Sequence, residues 1–432
     1  MKRQITEVLW VVGGQAATAI GTLIGVRVLT QFLAPAAYGT VSLSLGMSVL
    51  AISVVSTPLT QAAIHFYPNV VATGSVHDLL ASLLRCFRIM APRLAAVALL
   101  GGASYVYFGH GSPIVVVLLV LLLASDCWRS ANLSLLNAAR RQGRYALWTA
   151  TDAWSRPLAG VVAVQISGQS AIGVLAAYVI VSMCLLCTFS YGLWPGSGHS
   201  AAPSPERSRQ LDSRLWSYAL PLVPLGVISW ASSLGDRYII GSFLSVADAG
   251  VYAAIYGLSS APFMIVNGTA EQALRPIYQA AVSAGNQARA QRIFLLWLGV
   301  VFAICATGLA ILIVSHEYLA GLFVGKPYRY AADLMPWIGA GYAIRAISYV
   351  FERVCYAYGR TRRTLTTQIY AACATAIATP LGVLTLGLKG AAMAVPAYFS
   401  VQLVVAIVLA RRTIAEASRS AGDIVDSIPA RA

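Results

Sequence analysis

Long apolar runs recur along the whole sequence, and they constrain its fold more than any other feature. The run IVVVLLVLLLA at residues 114–124 contains no polar side chain, and comparable stretches follow one another as far as residue 411. Hydrophobic residues make up 58% of the 432 residues and charged residues only 10%, whereas a soluble domain carries about 25% charged residues. A soluble protein could not bury this much apolar surface, so the sequence predicts an integral membrane protein.

A helix that spans a bilayer needs roughly 20 apolar residues, and twelve segments meet that requirement. Closed β-barrels also span bilayers, but their strands alternate in polarity at every second residue, which the run at 114–124 does not. We therefore predict an all-α fold with twelve transmembrane helices. The predicted spans are 8–33, 39–66, 89–108, 113–137, 145–166, 170–194, 216–243, 250–274, 291–315, 331–355, 364–387 and 390–411.

The basic residues sort to one side of these spans. With the N-terminus in the cytoplasm, 22 of the 30 Lys and Arg residues fall on the inner side, 3 on the outer side and 5 within spans. This asymmetry is what the positive-inside rule predicts, and it explains the basic excess without nucleic acid. The basic start, MKRQITEVLW, leads into an apolar stretch with no cleavage site, so we interpret it as the beginning of the first span rather than as a signal peptide.

The sequence indicates two copies of a six-helix unit. The stretch IGVRVLTQFLAPAAYG at 24–39 is repeated as LGDRYIIGSFLSVADAG at 234–250, and the nearly constant offset continues along the chain. We predict bundles at 1–194 and 215–412, a cytoplasmic linker at 195–214 and a cytoplasmic tail at 413–432. Six is an even number, so both bundles enter from the same side, and their pseudo-twofold axis should run along the membrane normal. Halves of this kind commonly rock about a site between them.

Five arginines lie inside the predicted spans: Arg27, Arg129, Arg156, Arg237 and Arg345. An arginine that faces lipid at mid-bilayer costs roughly 2.5–3.5 kcal/mol on insertion scales, so five of them cannot all face lipid. We predict that they face protein or a water-filled cavity. Arg27 and Arg237 are closer to the outer ends of their spans, where snorkelling to the membrane surface is an alternative.

Polar and aromatic residues share helix faces with these arginines. Along the span 331–355 and just beyond it, residues recur at spacings of three and four, which places them on one side of a helix: Tyr342, Arg345, Tyr349, Glu352 and Tyr356. We predict that aromatic residues line a cavity, where their faces suit sugar rings and apolar carriers. They are Tyr145, Trp230, Tyr342 and Tyr349.

We count four acidic residues as fully intramembrane: Asp126, Asp152, Asp236 and Glu352. They are the candidates for carrying a proton or a sodium ion. An alternative is that the charges only pair internally, as Asp126 with Arg129, Asp152 with Arg156, and Arg345 with Glu352. Five arginines against four acids predict a weakly cationic cavity, and guanidinium groups suit phosphate and carboxylate. The expected cargo is anionic and amphipathic.

No catalytic apparatus is recognisable in the sequence. The five histidines are scattered without the spacing of metal ligands, and no phosphate-binding glycine loop is present. We therefore expect no enzymatic activity, no metal site and no cofactor, with transport driven by a proton gradient, a sodium gradient or the gradient of the cargo itself.

Three stretches resemble the Wzx-type polysaccharide flippases of the multidrug/oligosaccharidyl-lipid/polysaccharide (MOP) exporter superfamily. They are RVLTQFLAPAAYG at 27–39, DRYIIGSFLSVADAGVYAAIYGL at 236–258 and LGLKGAAMAV at 386–395. The resemblance implies two six-helix bundles around a cationic cavity, which transfer undecaprenyl-pyrophosphate-linked oligosaccharide from the inner to the outer leaflet by alternating access. Drug exporters of the same fold typically place acidic residues in the cavity, and peptidoglycan-precursor flippases usually have fourteen spans.

These observations leave three hypotheses. The first is a lipid-linked oligosaccharide flippase for O-antigen, capsule or exopolysaccharide, in the inner membrane with both termini in the cytoplasm. Its partners would be the lipid-linked saccharide, the bilayer, a polysaccharide polymerase and glycosyltransferases, with no nucleic acid. The second is an ion-coupled antiporter for drugs or other small molecules. The third is a membrane scaffold for glycosyltransferases that transports nothing.

Overall fold

The structure is a computed structural model, and it describes residues 2–72, 76–107, 112–139, 141–190 and 205–426. Every regular element within those ranges is helical, so the predicted all-α class is confirmed. Seven helical stretches of the described residues are long and apolar enough to cross a membrane: Pro35–Tyr67, Pro113–Ala138, Ala171–Ser190, Arg209–Phe243, Val246–Ser283, Gln287–Phe323 and Thr361–Ala417. The count of twelve spans stays a prediction.

The chain divides into two compact units. The first comprises Met1–Trp230 and Phe323–Pro327, and the second comprises Ala231–Leu322 and Tyr328–Ala432. The helices that begin in the first unit are α1 Lys2–Phe32, α2 Pro35–Ala51, α3 Thr57–Ala72, α4 Val76–Tyr107, α5 Pro113–Ala138, α6 Gln142–Ser167, α7 Ala171–Ser190, α8 Pro205–Ala219 and α9 Leu222–Phe243. Those of the second unit are α10 Val246–Ser283, α11 Gln287–Phe323, α12 Met335–Ala357 and α13 Thr361–Asp426, with a 3-10 helix at Lys326–Leu334.

A π-helical turn at Ile52–Ser56 joins α2 to α3, so one nearly continuous helix covers the predicted span 39–66. The turn comes just before Pro58, which has no N–H to donate and whose ring would clash with the carbonyl four residues earlier. A wider turn relieves that clash. Gly226 of α9 packs directly on this turn, because a side chain there would lie 2.3 Å from the carbonyl oxygen of Ser53.

Helix α5 is the central helix of the first unit. Its buried residues contribute to three separate apolar clusters, through Leu123 in the first, Leu122 in the second and Leu136 in the third. Because apolar neighbours cover α5 on several sides, its polar residues are forced into the interior of the unit. Helices α10 and α12 are similarly buried in the second unit.

The predicted linker at 195–214 is more ordered than its Pro- and Ser-rich composition indicates. Residues 195–204 lie outside the described part, but residues 205–214 are helical and belong to α8. Arg85 of α4 holds α8 through two hydrogen bonds of 3.0 Å to the carboxylate of Asp212. The buried side chain of Leu215 completes the attachment. Helix α8 therefore packs against the first unit.

Gly387 separates two helical halves of α13, with φ 59° and ψ −136°. The stretch Thr361–Ala417 contains 57 residues, which would be about 85 Å long as a straight helix, far more than one bilayer crossing. The break at Gly387 falls between the predicted spans 364–387 and 390–411, and it divides α13 into two segments that are each long enough to span.

We predict that Gly387→Ala destabilises the protein by about 1–3 kcal/mol, because residues other than glycine are strained in this backbone region. The measurement is thermal unfolding of the purified full-length protein in detergent. The matched control is Gly299→Ala in α11, where a methyl group meets nothing within 4 Å and helix propensity favours alanine. Equal stability of the two variants would contradict the role given to Gly387.

Candidate functional site

Two arginines and two aspartates form a closed ion-pair cluster inside the first unit, which we call the charge quartet. Its members are Asp126, Arg129, Asp152 and Arg156, from α5 and α6. Arg156 donates to Asp126, and its Nε lies 2.9 Å from Oδ1 of Asp152. Arg129 approaches Asp152 at 3.2 Å and Asp126 at 3.4 Å. The quartet thus contains both the pairs within α5 and α6 and the pairs between those helices.

The charge quartet is buried and electrically neutral. Asp126 is only 2% exposed and Arg156 8%, and Ser182 of α7 accepts a further hydrogen bond of 2.7 Å from Arg156. Buried charges are tolerated when they are paired and hydrogen-bonded. Each guanidinium already has two carboxylates, so an incoming anion would have to displace an aspartate. The pairs Asp126 with Arg129 and Asp152 with Arg156, named in the pairing alternative, are both present, and a cavity-lining role for these residues stays a prediction.

The other predicted site residues of the first unit lie outside the charge quartet. Arg27 donates to the carbonyl of Val324, and the adjacent Gly325 N–H donates to Thr30 at 2.9 Å. Trp230 donates from its indole to the carbonyl of Gly46 at 2.8 Å. Tyr145 packs against the apolar cluster that contains Leu136. These three side chains make contacts that hold helices and backbone segments together.

Arg345 lies in the interior of the second unit and is solvated by hydroxyl groups. It donates to Tyr349 Oη at 2.9 and 3.1 Å, to Tyr342 Oη at 3.2 Å and to Ser233 Oγ at 3.2 Å. Its guanidinium carbon also lies 5.4 Å from the ring centroids of both tyrosines and 5.0 Å from that of Phe399. The site around Arg345 thus combines a cation, hydroxyl groups and aromatic faces.

No carboxylate oxygen of the described residues lies within 4.0 Å of Arg345, although the side chain is only 7% exposed. The expected pair with Glu352 does not form. Arg345 and Glu352 are seven positions apart on α12, a rise of about 10 Å along a helix. Tyr349 lies between them and accepts hydrogen bonds from the guanidinium of Arg345. Arg345 is therefore a buried cation whose neighbours are neutral.

Glu352 is the complementary case, a buried carboxylate held by neutral donors. It is 1% exposed and accepts hydrogen bonds from Thr367 at 2.8 Å and from Gln402 at 2.8 Å. The amide of Gln368 contacts both carboxylate oxygens at 3.2 Å. No arginine or lysine side chain among the described residues forms an ion pair with it.

Asp236 repeats this arrangement on α9. It is 1% exposed and accepts from Tyr252 Oη and from the backbone N–H of Arg237, each at 2.8 Å. The guanidinium of Arg237 lies over the ring of Tyr256, 5.0 Å from its centroid, and makes no ion pair with Asp236 within 4.0 Å. In the described part of the second unit, these buried charges are kept apart from one another.

Several residues of this environment were not identified from the sequence. Tyr252 and Tyr256 are one helical turn apart on α10, and Tyr256 Oη shares a hydrogen bond of 2.8 Å with Tyr342 Oη. Gln402 and Phe399 come from the second half of α13. A glutamine inside an apolar span was an available signal for Gln402, but nothing in the sequence indicates which tyrosines meet across helices.

Comparison with known proteins identifies relatives at the level of family and fold. Residues 28–333 match the sequence family described as "Polysaccharide biosynthesis protein". No curated protein sequence matches the chain.

Among solved structures, similar folds are those of a multidrug resistance MATE family transporter of the MOP superfamily, inward-facing, and of the lipid II flippase MurJ, inward closed. The first has a TM-score of 0.75 at 13% identity and covers 93% of this chain and 96% of its own. The second has a TM-score of 0.71 at 11% identity and covers 94% and 87%. At these identities the similarity shows the fold alone, which this chain shares with both structures. The predicted fold relationship is confirmed, and the chain is a multi-pass membrane protein.

The two kinds of buried charge predict effects of different size on stability. Arg156→Met leaves Asp126 and Asp152 with Arg129 as their shared cation, so we expect it to destabilise the protein by about 3–5 kcal/mol. Arg345→Met removes a buried charge that has no ionic partner, so we expect a change of at most about 1 kcal/mol. Unfolding in detergent measures both effects.

The control for Arg156→Met is the double variant Arg156→Met/Asp126→Leu, which restores one cation to one anion and should regain part of the lost stability. If Arg345→Met were as destabilising as Arg156→Met, Arg345 would be a structural residue.

Proposed function

Because the chain belongs to the family of polysaccharide biosynthesis proteins and has the MOP-superfamily fold, we propose that it is a flippase and not an enzyme. Its cargo is an undecaprenyl-pyrophosphate-linked oligosaccharide, moved from the inner to the outer leaflet by alternating access for O-antigen, capsule or exopolysaccharide. The observation that carries the proposal is Arg345, a buried cation with no carboxylate partner among the described residues.

The surroundings of Arg345 suit a phosphate-bearing saccharide. A buried charge is costly unless it is paired, so an anionic headgroup completes a site that Arg345 leaves open. The planar guanidinium can bind two phosphate oxygens at once, and the hydroxyls of Tyr342 and Tyr349 can donate to further oxygens. Aromatic faces such as that of Phe399 suit sugar rings and isoprenoid chains. The site therefore suits a ligand that combines a phosphate group, further oxygen acceptors, and a sugar ring or an isoprenoid chain.

The charge quartet has a different role in this proposal. Its two arginines are already neutralised by Asp126 and Asp152, so it fixes the packing of α5 and α6 in this conformation. Arg129 and Arg156 become available to an anion only when their ion pairs open. The predicted substrate-binding role of Arg27, Arg129, Arg156 and Arg237 is therefore secondary to that of Arg345.

We propose further that Asp236 and Glu352 couple transport to an ion gradient. Both are buried carboxylates whose partners are hydroxyl, amide or backbone N–H groups. Such a group can take up a proton, or a sodium ion with oxygen ligands, without first breaking an ion pair. Asp126 and Asp152 are less suited, because arginines already neutralise them.

The proposed location is the inner membrane, with both termini in the cytoplasm, which follows from the distribution of basic residues. The proposed partners are the lipid-linked saccharide and, around the flippase, a polysaccharide polymerase and glycosyltransferases. The antiporter alternative has one observation in its favour, since buried acids such as Asp236 also suit cationic drugs. A test of susceptibility to cationic drugs in a deletion strain separates the two functions.

We predict that Arg345→Gln reduces polysaccharide export at least tenfold, because the amide keeps polarity but loses the charge that attracts the headgroup. The assay is complementation of a deletion strain, with surface polysaccharide quantified and membrane abundance of the protein measured alongside. Arg345→Lys is the matched control, and it should retain part of the export because it keeps the charge but loses bidentate geometry. Normal export by Arg345→Gln at equal abundance would refute the assignment.

We predict that Asp236→Asn and Glu352→Gln abolish stimulation of transport by an ion gradient. In inverted vesicles with an imposed pH or sodium gradient, each variant should transport at the rate that the unaltered protein shows without a gradient. Asp248→Asn is the control, because Asp248 lies in the first turn of α10 outside the site. Full stimulation in both variants would exclude these carboxylates from coupling.

A further inference from the structure

Tyrosine and arginine side chains alternate along one face of α12, and we call them the tyrosine–arginine ladder: Tyr342, Arg345, Tyr349, Arg353 and Tyr356. Each guanidinium lies over the rings on both sides of it. The carbon of Arg345 is 5.4 Å from the centroids of Tyr342 and Tyr349. The carbon of Arg353 is 5.8 Å from the centroid of Tyr349 and 5.0 Å from that of Tyr356. The ladder therefore joins the Arg345 site to the predicted cytoplasmic end of the helix.

The lower end of the ladder holds more positive than negative charge. Arg353 binds Glu271 of α10 with both carboxylate oxygens engaged, at 2.8 Å from Nε and 2.9 Å from the terminal nitrogen. Arg275 donates to the same carboxylate at 2.9 Å and lies 5.8 Å from the ring centroid of Tyr356. One carboxylate thus pairs with two guanidinium groups, and the three side chains together carry a net charge of +1.

The convergence of Arg275 and Arg353 on one carboxylate also suits a phosphate group. Two guanidinium groups converge on one carboxylate, and each donates a hydrogen bond to a different oxygen. Phosphate also presents several oxygens but carries more negative charge than a carboxylate. Arg275 pairs with Glu271 within α10 and Arg353 pairs with it from α12, so one carboxylate holds two cations from two helices.

The lower end of the ladder is also accessible. The side chain of Arg353 is 18% exposed, that of Glu271 20% and that of Arg275 40%, whereas Arg345 is buried. Partly exposed ion pairs are weak, so a more highly charged anion can displace the carboxylate of Glu271. Both arginines lie on the side of the membrane that the distribution of basic residues assigns to the cytoplasm.

We propose that Arg275 and Arg353 form a second anion-binding site, the inner anion site, and that the carboxylate of Glu271 occupies it until a phosphate or pyrophosphate group takes its place. The identity of the cargo as a lipid-linked pyrophosphate rests on the proposed function, but the anion chemistry follows from this cluster alone. The inner anion site receives the headgroup first, and the ladder leads from it to Arg345.

The spacing along α12 supports this order. Arg353 and Arg345 are eight residues apart, a rise of about 12 Å, and the ring of Tyr349 lies between them. A pyrophosphate that leaves Arg353 therefore passes the hydroxyl group of Tyr349, which already accepts hydrogen bonds from Arg345. Charge is solvated at each step by an arginine, a phenol or both.

The test measures binding of two probes, inorganic pyrophosphate and farnesyl pyrophosphate, to the purified full-length protein by calorimetry. Glu271→Gln keeps the shape of the side chain but removes the competing charge, so we expect affinity for pyrophosphate to rise about tenfold. The double variant Glu271→Gln/Arg275→Gln should lose that gain. Unchanged affinity of Glu271→Gln for both probes would overturn the inner anion site.

Glu416→Gln is the matched control. Glu416 also lies between two arginines, Arg360 and Arg363, but these are away from the ladder. An equal gain in Glu416→Gln would mean that any freed arginine attracts pyrophosphate, and this too would overturn the site. If Glu271→Gln does not fold, Arg275→Gln in the unaltered chain replaces it, with an expected loss of affinity of about tenfold. Unchanged affinity in Arg275→Gln would also overturn the inner anion site.

The two probes distinguish the source of the anion. A gain for both identifies the phosphate chemistry as sufficient, and a gain for farnesyl pyrophosphate alone identifies a lipid-linked headgroup; either supports the site. Failure of the site is separable from failure of the flippase proposal. If Arg345→Gln abolishes export but Glu271→Gln binds neither probe more tightly, only the inner anion site fails. If Glu271→Gln gains affinity but Arg345→Gln still exports normally, only the proposed function fails.

Discussion

The cost of placing charge in a low-dielectric interior governs both units of this protein. An unpaired ion inside a membrane protein is expensive, and the chain meets that cost in two ways. In the first unit, Arg129 and Arg156 are neutralised by two aspartates. In the second unit, Arg345 and Glu352 are separated, and each is solvated by neutral hydroxyl or amide groups. The two units therefore differ in how readily their buried charges could bind a ligand, although their helices carry similar residue types.

An arginine whose neighbours are neutral keeps its full charge for an anionic ligand, whereas an arginine in an ion pair does not. A phenol that accepts a hydrogen bond from a guanidinium lowers the cost of burial without cancelling the charge. In the proposed function Arg345 can therefore attract an anion, while an anion that approached Arg156 would first have to compete with Asp126. The family membership and the fold do not by themselves identify a binding site, and this difference in electrostatics is the basis for choosing Arg345 among the nine intramembrane charges.

Hydropathy and charge patterns predicted the helical class and the membrane location, because these depend on properties that are summed over many residues, whereas the fold relationship came from the resemblance of three sequence stretches. The same patterns identified every buried charge of both units, since an ionisable residue in an apolar run is conspicuous. They could not decide which charges pair. Arg345 and Glu352 share a helix face, but the intervening Tyr349 binds the arginine, and Gln402, which binds the acid, comes from a helix that is remote in sequence. Arg275 and Arg353 were assigned to the inner side as topology signals and Glu271 was given no role, so only their convergence in space revealed a cluster.

The glutamines around Glu352 have a consequence for how this carboxylate can change its protonation state. An ionised carboxylate needs donors, which the amide nitrogens of Gln368 and Gln402 provide. A protonated carboxyl group needs an acceptor, and rotation of one amide by a half turn presents its oxygen instead of its nitrogen. The amides can therefore provide donors to the ionised form of Glu352 and an acceptor to its protonated form without moving a helix.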